Sequence, residues 1–171
     1  MTRTTPAFLR LLPALLAIAL PAWAGEFEAM VSALKKTWPE RTVIAVVCDT
    51  GFSKGRLDAL AAACGGMKIA AVDVKSPQDV GKAVGALGSQ HAQVLVLIPG
   101  DRITGDGAPG ATFLIQRLAA SKIPAIATSE AALKQGAVFA VGAGTGGKLL
   151  TNPKAATVSG VSAPEGGTPV S

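Results

Sequence analysis

Polar segments follow three apolar runs of the sequence, and their residue types suit the binding of a small polar molecule. Asp49-Thr-Gly-Phe-Ser53 and Pro99-Gly-Asp101-Arg102 each follow such a run, and a third run ends at Thr128 and Ser129. Carboxylate, hydroxyl, guanidinium and backbone N–H groups can hold a polar ligand, with an aromatic ring as an apolar lid. The candidate ligand-binding residues are therefore Asp49, Thr50, Phe52, Ser53, Asp101, Arg102, Thr128 and Ser129.

Each of these segments also has an ordinary structural interpretation. Asp49 or Ser53 can cap the helix that follows it. Asp101 and Arg102 can simply pair with each other in solvent. Ser129 followed by Glu130 is typical of a helix start. The residues alone leave both interpretations open for these loops.

The elements that would position these loops alternate between strand and helix. Predicted strands cover 42–48, 68–74, 93–98, 123–128 and 137–141, and predicted helices cover 56–64, 76–90, 110–121 and 130–135. This alternation predicts an α/β fold with a doubly wound parallel sheet of about five strands, flavodoxin-like or Rossmann-like, in the order 2-1-3-4-5. Ligands of such sheets bind at the carboxyl ends of the strands, where the strand order switches. This rule selects the loops after the first, third and fourth strands.

The first 24 residues predict a cleaved secretory signal peptide. Arg3 and Arg10 form a basic start, an apolar run follows over 11–20, and Ala22 and Ala24 supply the small residues of a cleavage site. The apolar run is too short to span a bilayer. We therefore expect an exported, periplasmic protein that does not span the membrane once mature.

The remaining chain divides into three predicted segments. A helix and linker cover 25–41, the α/β lobe covers 42–150, and a tail covers 151–171. The tail is rich in Gly, Ser, Thr and Pro, and we expect it to be disordered beyond Pro164.

Composition argues against nucleic acid as a partner. Without Arg3 and Arg10, 14 basic residues remain against 11 acidic residues, and they are spread along the sequence. Aromatic residues make up 4% of the chain, which is too few to favour a surface that stacks bases. The mild positive charge is weak support for nucleic acid or membrane binding.

One glycine-rich motif fits the spacing of a phosphate-binding loop. Gly142-Ala-Gly-Thr-Gly-Gly-Lys148 matches G-x-x-x-x-G-K after a predicted strand. Leu149 stands where Ser or Thr should hold Mg²⁺, and Pro153 prevents the long helix that would face the phosphates. A flexible glycine connection is the favoured interpretation, and no cofactor is predicted.

Catalysis is the least favoured function. His91 is the single histidine, it has no acidic partner close in sequence, and the chain has no G-x-S-x-G motif. Asp49, Asp73 and Asp101 all end strands and could hold Mg²⁺ in a metal-dependent hydrolase, but aspartate is also a common turn residue. We predict no catalytic residue and no metal ligand.

The two cysteines, Cys48 and Cys64, fall on a strand and at the end of the next helix. An oxidising compartment permits a disulfide between them. Two small buried thiols are the favoured interpretation, and the disulfide stays an alternative.

Two stretches of the sequence resemble the ABC transporter substrate-binding proteins of the TrpX-like group. The stretch from Ile123 to Gly142 is similar to the family's I-P-V-I strand, short helix and G-A-L-x-S/A-x-G strand. The stretch from Asn152 to Pro164 resembles its closing N-L-K-T-A-x-x-L-G-x-x-I-P. Pro99-x-Asp101 also looks like the family's P-x-D turn, so the resemblance extends over about 42–164.

The resemblance implies one lobe of a periplasmic binding protein fold. Family members trap amino acids or other small organic solutes between two lobes, whereas this chain has room for one. Asp101 and, loosely, Ser129 are the binding residues that carry over. The resemblance implies weak binding of a small organic solute, or a cleft completed by a second copy, a transporter or another periplasmic protein. The alternative is a ligand-free interaction protein that docks a partner with the same face.

Overall fold

A seven-stranded sheet lies at the centre of the protein, whose computed structural model describes residues 24–170. Apart from Ala24, the predicted signal peptide lies outside the described residues. The strands are β1 Val43–Cys48, β2 Lys68–Asp73, β3 Val94–Val96, β4 Ala125–Ser129, β5 Phe139–Gly144, β6 Leu150–Thr151 and β7 Thr168–Pro169. Their order is β2-β1-β3-β4-β5-β6-β7, and β1 to β5 are parallel. β6 runs antiparallel to β5, and β7 runs parallel to β6.

Helices connect the strands and cover both faces of the sheet. They are α1 Ala24–Thr37, α2 Lys54–Cys64, α3 Val80–Ser89, α4 Pro109–Ala120, α5 Glu130–Gln135 and α6 Pro153–Ser159. Local sequence sets several of their ends. Pro109 and Pro153 occupy first-turn positions, where proline costs no hydrogen bond. Gly65 ends α2 with φ 55°, a left-handed conformation that glycine adopts without a steric penalty.

Alternate residues of the central strands enter two separate apolar layers. In β1, Ile44 and Val46 pack with α1, α2 and α6, whereas Ala45 and Val47 pack with α3, α4 and α5. All three residues of β3 are buried. Because both faces are covered, these strands appear in the sequence as continuous apolar runs, as expected for a parallel sheet.

The predicted fold class and the strand order 2-1-3-4-5 are confirmed, but the sheet has two more strands than expected. β6 and β7 are two-residue strands, too short to give a pattern in the sequence. No described helix is both long and apolar enough to cross a membrane.

The tail differs from the expected disorder. α6 buries Ala155 and Ala156 in the core. Beyond Pro164, the N–H groups of Thr168 and Val170 donate to the carbonyls of Leu149 and Thr151 at 2.9 and 2.8 Å. These backbone hydrogen bonds hold the end of the described chain on the sheet edge, despite its loop-like composition.

The N-terminal helix packs into the same core as the predicted lobe. Phe27, Met30 and Leu34 of α1 are fully buried. The indole N–H of Trp38, just after α1, donates to the carbonyl of Ser162 at 3.1 Å. The first and last described segments therefore stabilise each other.

Cys48 and Cys64 are buried as free thiols in the layer that contains α1 and α2. Burial, with smaller contributions from Asp101, Asp73 and Asp49, raises the pKa of the Cys48 thiol to about 12. At neutral pH this thiol is protonated and behaves as a small apolar side chain.

Candidate functional site

The loops after β1 and β3 meet at a buried carboxylate. Asp101 is 4% exposed, and its Oδ2 accepts hydrogen bonds from the Asp49 N–H at 3.0 Å and the Ser53 hydroxyl at 2.7 Å. Its Oδ1 accepts from the N–H groups of Ile103 and Thr104, both at 3.0 Å. We call these five residues the Asp101 cluster. It joins the two loops across the strand-order switch between β1 and β3.

Asp101 is held ionised by these donors. Burial opposes its ionisation, but hydrogen bonds from the Thr104 N–H, the Ser53 hydroxyl and other donors lower its pKa. Both carboxylate oxygens are occupied by protein groups, so Asp101 positions the loops, and other side chains are more accessible to a solute. Ser53 stands at the N-cap of α2, yet its hydroxyl bonds to Asp101 instead of capping the helix.

Four charged side chains form ion pairs at the same edge of the sheet, and one of them, Asp49, also belongs to the Asp101 cluster through its backbone N–H. The Lys75 ammonium is 2.7 Å from Asp49 Oδ1 and 3.0 Å from Asp73 Oδ1. The Arg102 guanidinium is 3.2 Å from Asp49 Oδ2. We call Asp49, Asp73, Lys75 and Arg102 the Asp49 ion-pair group. Arg102 therefore pairs with Asp49 across the loops, and not with its sequence neighbour Asp101.

Backbone and hydroxyl donors complete the ion-pair group. The N–H groups of Gly51 and Phe52 donate to Asp49 Oδ1, both at 3.2 Å. The Thr50 N–H and hydroxyl donate to Asp73 Oδ1 at 2.9 and 2.7 Å. Lys75 and the Phe52 N–H are the main causes that lower the pKa of Asp49 to about 2. Both aspartates are thus ionised near neutral pH, and Thr50 fixes the position of Asp73.

An aromatic ring and a cation form an accessible part of this face. The guanidinium of Arg102 lies over the ring of Phe52, 4.6 Å from its centroid. The Phe52 residue is 50% exposed and the Arg102 side chain is 66% exposed. Such a pair offers an apolar surface beside N–H donors that can bind an anionic group.

Thr128 and Ser129 end β4, which lies beside β3 at the same edge. Thr128 is buried. Ser129 stands at the N-cap of α5 without a capping hydrogen bond from its side chain, and its buried Oγ has no hydrogen-bond partner among the described residues. Gly144 of β5 packs against Ser129 so closely that a Cβ there would be 2.7 Å from the Ser129 Cβ.

Protein cations and N–H or hydroxyl donors pair with the carboxylates of Asp49 and Asp73. Within residues 24–170, no group of three His, Cys, Asp or Glu side chains is placed to hold a metal ion. Asp49 and Asp73 share Lys75 instead.

The glycine-rich motif forms the turn between two antiparallel strands. The Thr145 hydroxyl accepts from the Gly142 N–H at 3.1 Å and donates within the turn to the carbonyl of Lys148 at 2.6 Å. The chain then enters β6, not a helix whose N-terminus could face a phosphate. This geometry agrees with the glycine-connection interpretation.

Sequence reasoning missed Lys75 and Thr104. Thr104 is fully buried, and its hydroxyl donates to the Val47 carbonyl as well as lying 3.3 Å from Asp101 Oδ1. An Asp followed three residues later by Thr after a strand is a signal for this local hydrogen-bonding pattern. Lys75 has no such signal, because its two partners come from different strand ends.

Cavities of about 470, 270 and 230 Å³ lie away from the strand-end loops. The largest is formed between α1 and the tail, where Ala29, Ala33 and Pro164 are among the lining residues. The other two lie beside α5 and α6.

No protein-family model and no curated protein sequence matches the chain. Solved structures share its fold. An ABC domain from Streptococcus pneumoniae in complex with L-Trp matches 87% of this chain with a TM-score of 0.69 and 17% identity. A ligand-free, open substrate-binding protein with adhesive properties from Clostridium difficile matches 82% with a TM-score of 0.68 and 18% identity. A conserved domain protein from Vibrio cholerae matches 85% with a TM-score of 0.65 and 17% identity.

These matches confirm the expected likeness to substrate-binding proteins at the level of the fold. The chain spans 58–60% of the length of those three proteins. The structure is therefore an α/β unit that shares its fold with these proteins and is shorter than they are.

Proposed function

We propose that this chain is a solute-binding protein that contacts a small organic solute with the strand-end face of a single lobe. The observation that carries the proposal is the exposed Phe52–Arg102 pair, which lies at the strand-order switch of a fold shared with substrate-binding proteins. Ligands of open α/β sheets bind at this position. The role is binding rather than catalysis.

The chemistry of the pair suggests the solute class. Arginine has five N–H donors in a planar fork, and Asp49 accepts one hydrogen bond from Arg102. The other N–H groups can bind a carboxylate, while the Phe52 ring packs against an apolar part. The pneumococcal neighbour holds L-Trp, an amino acid that combines both features. We therefore propose a small carboxylate with an apolar portion, such as an amino acid or organic acid.

A single lobe covers one side of such a solute. Binding by this chain alone would leave the other side in water, so its affinity should be low. A second wall from another copy of the chain, or from a transport component, would complete the cleft.

We also propose that the protein acts in the periplasm, which is supported by the three-part pattern of residues 1–24. N-terminal sequencing of the protein from a periplasmic fraction tests this point and should begin at Gly25.

A thermal-shift screen against amino acids, organic acids, sugars and divalent metals tests the proposal. A solute that binds only the native state raises Tm. We expect one or more carboxylates to raise Tm for the wild type, and the shift to be lost in Phe52→Ala and Arg102→Ala. Phe113 and Arg117 form a similar exposed pair on α4, 5.4 Å apart, so Phe113→Ala and Arg117→Ala are matched controls.

The mass in solution, measured on the same sample, separates the two main interpretations. The proposal is supported if a carboxylate raises the Tm of the wild type and of the two control variants, but not that of Phe52→Ala or Arg102→Ala. No shift with any solute, together with a monomeric mass, contradicts the proposal and would favour the ligand-free interaction protein.

A further inference from the structure

A groove between α4, α5 and α6 forms a second candidate surface. Its floor includes Ile115 and Ala119 of α4 and Val158 of α6, and its volume is about 270 Å³. A neighbouring cavity of about 230 Å³ shares Lys134 and Asn152 with it. We call the two together the α4–α6 groove. It lies beside the second half of α4 and the end of α5, whereas the strand-end loops precede these helices.

Hydrogen bonds fix the walls of this groove. Asn152 donates from Nδ2 to the Leu133 carbonyl at 2.9 Å, and its Oδ1 accepts from the Ala155 N–H at 3.0 Å. Gln135 donates from Nε2 to the Ala108 carbonyl at 3.2 Å and to the Thr112 hydroxyl at 3.1 Å. Since α5 is joined to both α4 and α6, the groove is formed before any partner arrives, which lowers the entropy cost of binding.

The charge at the rim is of one sign. Lys134 and Lys154 line the groove, and no Asp or Glu lines either of its two cavities. Lys122 lies close by, with its ammonium 3.3 Å from the Val158 carbonyl. Glu130 is an exposed i,i+4 partner of Lys134 at 3.4 Å, a contact that contributes little to binding or stability.

One apolar side chain of the groove, Val158, is accessible, whereas Ile115 and Ala119 are buried. Val158 is 61% exposed, and it is one of three large exposed apolar side chains among the described residues, with Phe52 and Phe113. An apolar floor with lysines at its rim matches a ligand that combines an apolar anchor with carboxylates.

We propose that the α4–α6 groove docks a short acidic peptide segment of a partner protein. An apolar side chain of the segment would pack on Val158, and its carboxylates would pair with Lys134 and Lys154. We favour a peptide over a membrane because a side chain can enter a recess between helices, whereas a flat lipid surface cannot. A symmetric contact with a second copy would place like charges opposite each other. Partner docking and solute binding would then use different surfaces.

Selection from a displayed library of random short peptides tests this proposal. The purified protein serves as the target, and binders to Lys134→Glu/Lys154→Glu are removed by counter-selection. We expect the enriched peptides to combine Asp or Glu with one or two large apolar residues. Enrichment without acidic residues, or no enrichment, would overturn the proposal.

Fluorescence anisotropy with a synthetic enriched peptide then locates the contact. Lys134→Glu/Lys154→Glu should weaken binding about tenfold, because each attraction becomes a repulsion. Val158→Asp should also weaken it. Lys54→Glu is the matched control, since Lys54 and Lys134 are 74% and 73% exposed and each has an i,i+4 acidic partner. Equal effects of the control and the groove variants would contradict the proposal.

Vesicles of phosphatidylglycerol and phosphatidylcholine separate a peptide site from a lipid site. We expect the groove variants to leave sedimentation with these vesicles unchanged. If instead the groove variants abolish vesicle binding and leave peptide binding unchanged, the surface is a lipid site and the peptide proposal is wrong.

Discussion

The Asp101 cluster and the Asp49 ion-pair group lie side by side at the strand-end face, yet their carboxylates are used differently. Asp101 is 4% exposed, and its carboxylate accepts hydrogen bonds from backbone N–H groups and from a serine hydroxyl. Asp49 shares its oxygens with Lys75 and Arg102, whose side chains are 59% and 66% exposed. One carboxylate joins the loops, and the other holds cations at the surface.

The comparison shows that an aspartate at a strand end does not by itself indicate a binding residue. Removing Asp101 would leave buried donors without acceptors, which lowers the free energy of unfolding. Asp49 is also buried, at 8% exposed, but removing one of its exposed cation partners leaves its carboxylate with the other cation and two backbone N–H donors. Stability should therefore depend mainly on the Asp101 cluster, and solute binding mainly on Phe52 and Arg102.

Loss of Asp101 should have the largest effect on stability. Asp101→Ala leaves the N–H groups of Asp49, Ile103 and Thr104 and the Ser53 hydroxyl without an acceptor, and we expect a loss of about 3–5 kcal/mol in the free energy of unfolding. Urea unfolding measures it. Asp101→Asn keeps the size and one acceptor oxygen, so its loss should be smaller.

Asp58→Ala is the control for this prediction, because Asp58 is exposed on α2 and contacts Lys54. A loss of less than about 1 kcal/mol for Asp101→Ala, similar to a surface substitution, would remove the distinction between the two carboxylates.

Ser53→Ala should have the next largest effect. Its hydroxyl is a buried donor to an ionised carboxylate at 2.7 Å, and hydrogen bonds to charged groups contribute about 1.5–3 kcal/mol. Urea unfolding should show a loss in this range. Ser89→Ala is the control, since the exposed Ser89 hydroxyl is 3.5 Å from its acceptor. Equal losses for the two variants would contradict the structural role of Ser53.

Acid should reduce stability through three carboxylates. The pKa values of Asp49, Asp73 and Asp101 are lowered in the folded protein, to about 2 for Asp49. The unfolded chain then binds more protons than the native one below an ordinary pKa of about 4. Their contribution is present above pH 4 and is lost as the pH falls towards 2.

Urea midpoints of the wild type and of Asp49→Asn, measured across this pH range, test the predicted loss of stability in acid. The variant should be less stable than the wild type at neutral pH and should lose less on acidification. Identical pH profiles for the two proteins would contradict the ion-pair role of Asp49.

Phe52→Ala and Arg102→Ala should have the smallest effect on stability. Both side chains are exposed, and a cation–π contact at such a site contributes about 0.5–1 kcal/mol. Urea unfolding should therefore show losses below about 1 kcal/mol for each variant. A double-mutant cycle measures their coupling directly. A coupling well above this range would make the pair structural and weaken its assignment to solute binding.

The sequence predicted the five parallel strands because buried strands and their helices leave strong periodic patterns. It did not predict β6 and β7, since two-residue strands depend on tertiary hydrogen bonds such as those of Thr168 and Val170. The candidate residues at the strand ends were chosen by position, which does not separate Asp101 from Asp49. That difference arises mainly from contacts across 52 residues, between Asp49 and Asp101, and its local sequence signal is the Thr three residues after Asp101.

Amide chemical-shift mapping by NMR tests the central claim most directly, with the solute that gives the largest thermal shift. We predict that the largest changes will occur at Gly51, Phe52 and Arg102, with smaller changes at Ser129 and none in the α4–α6 groove. Changes confined to α4, α5 and α6, or to the cavity between α1 and the tail, would contradict solute binding at the strand-end face.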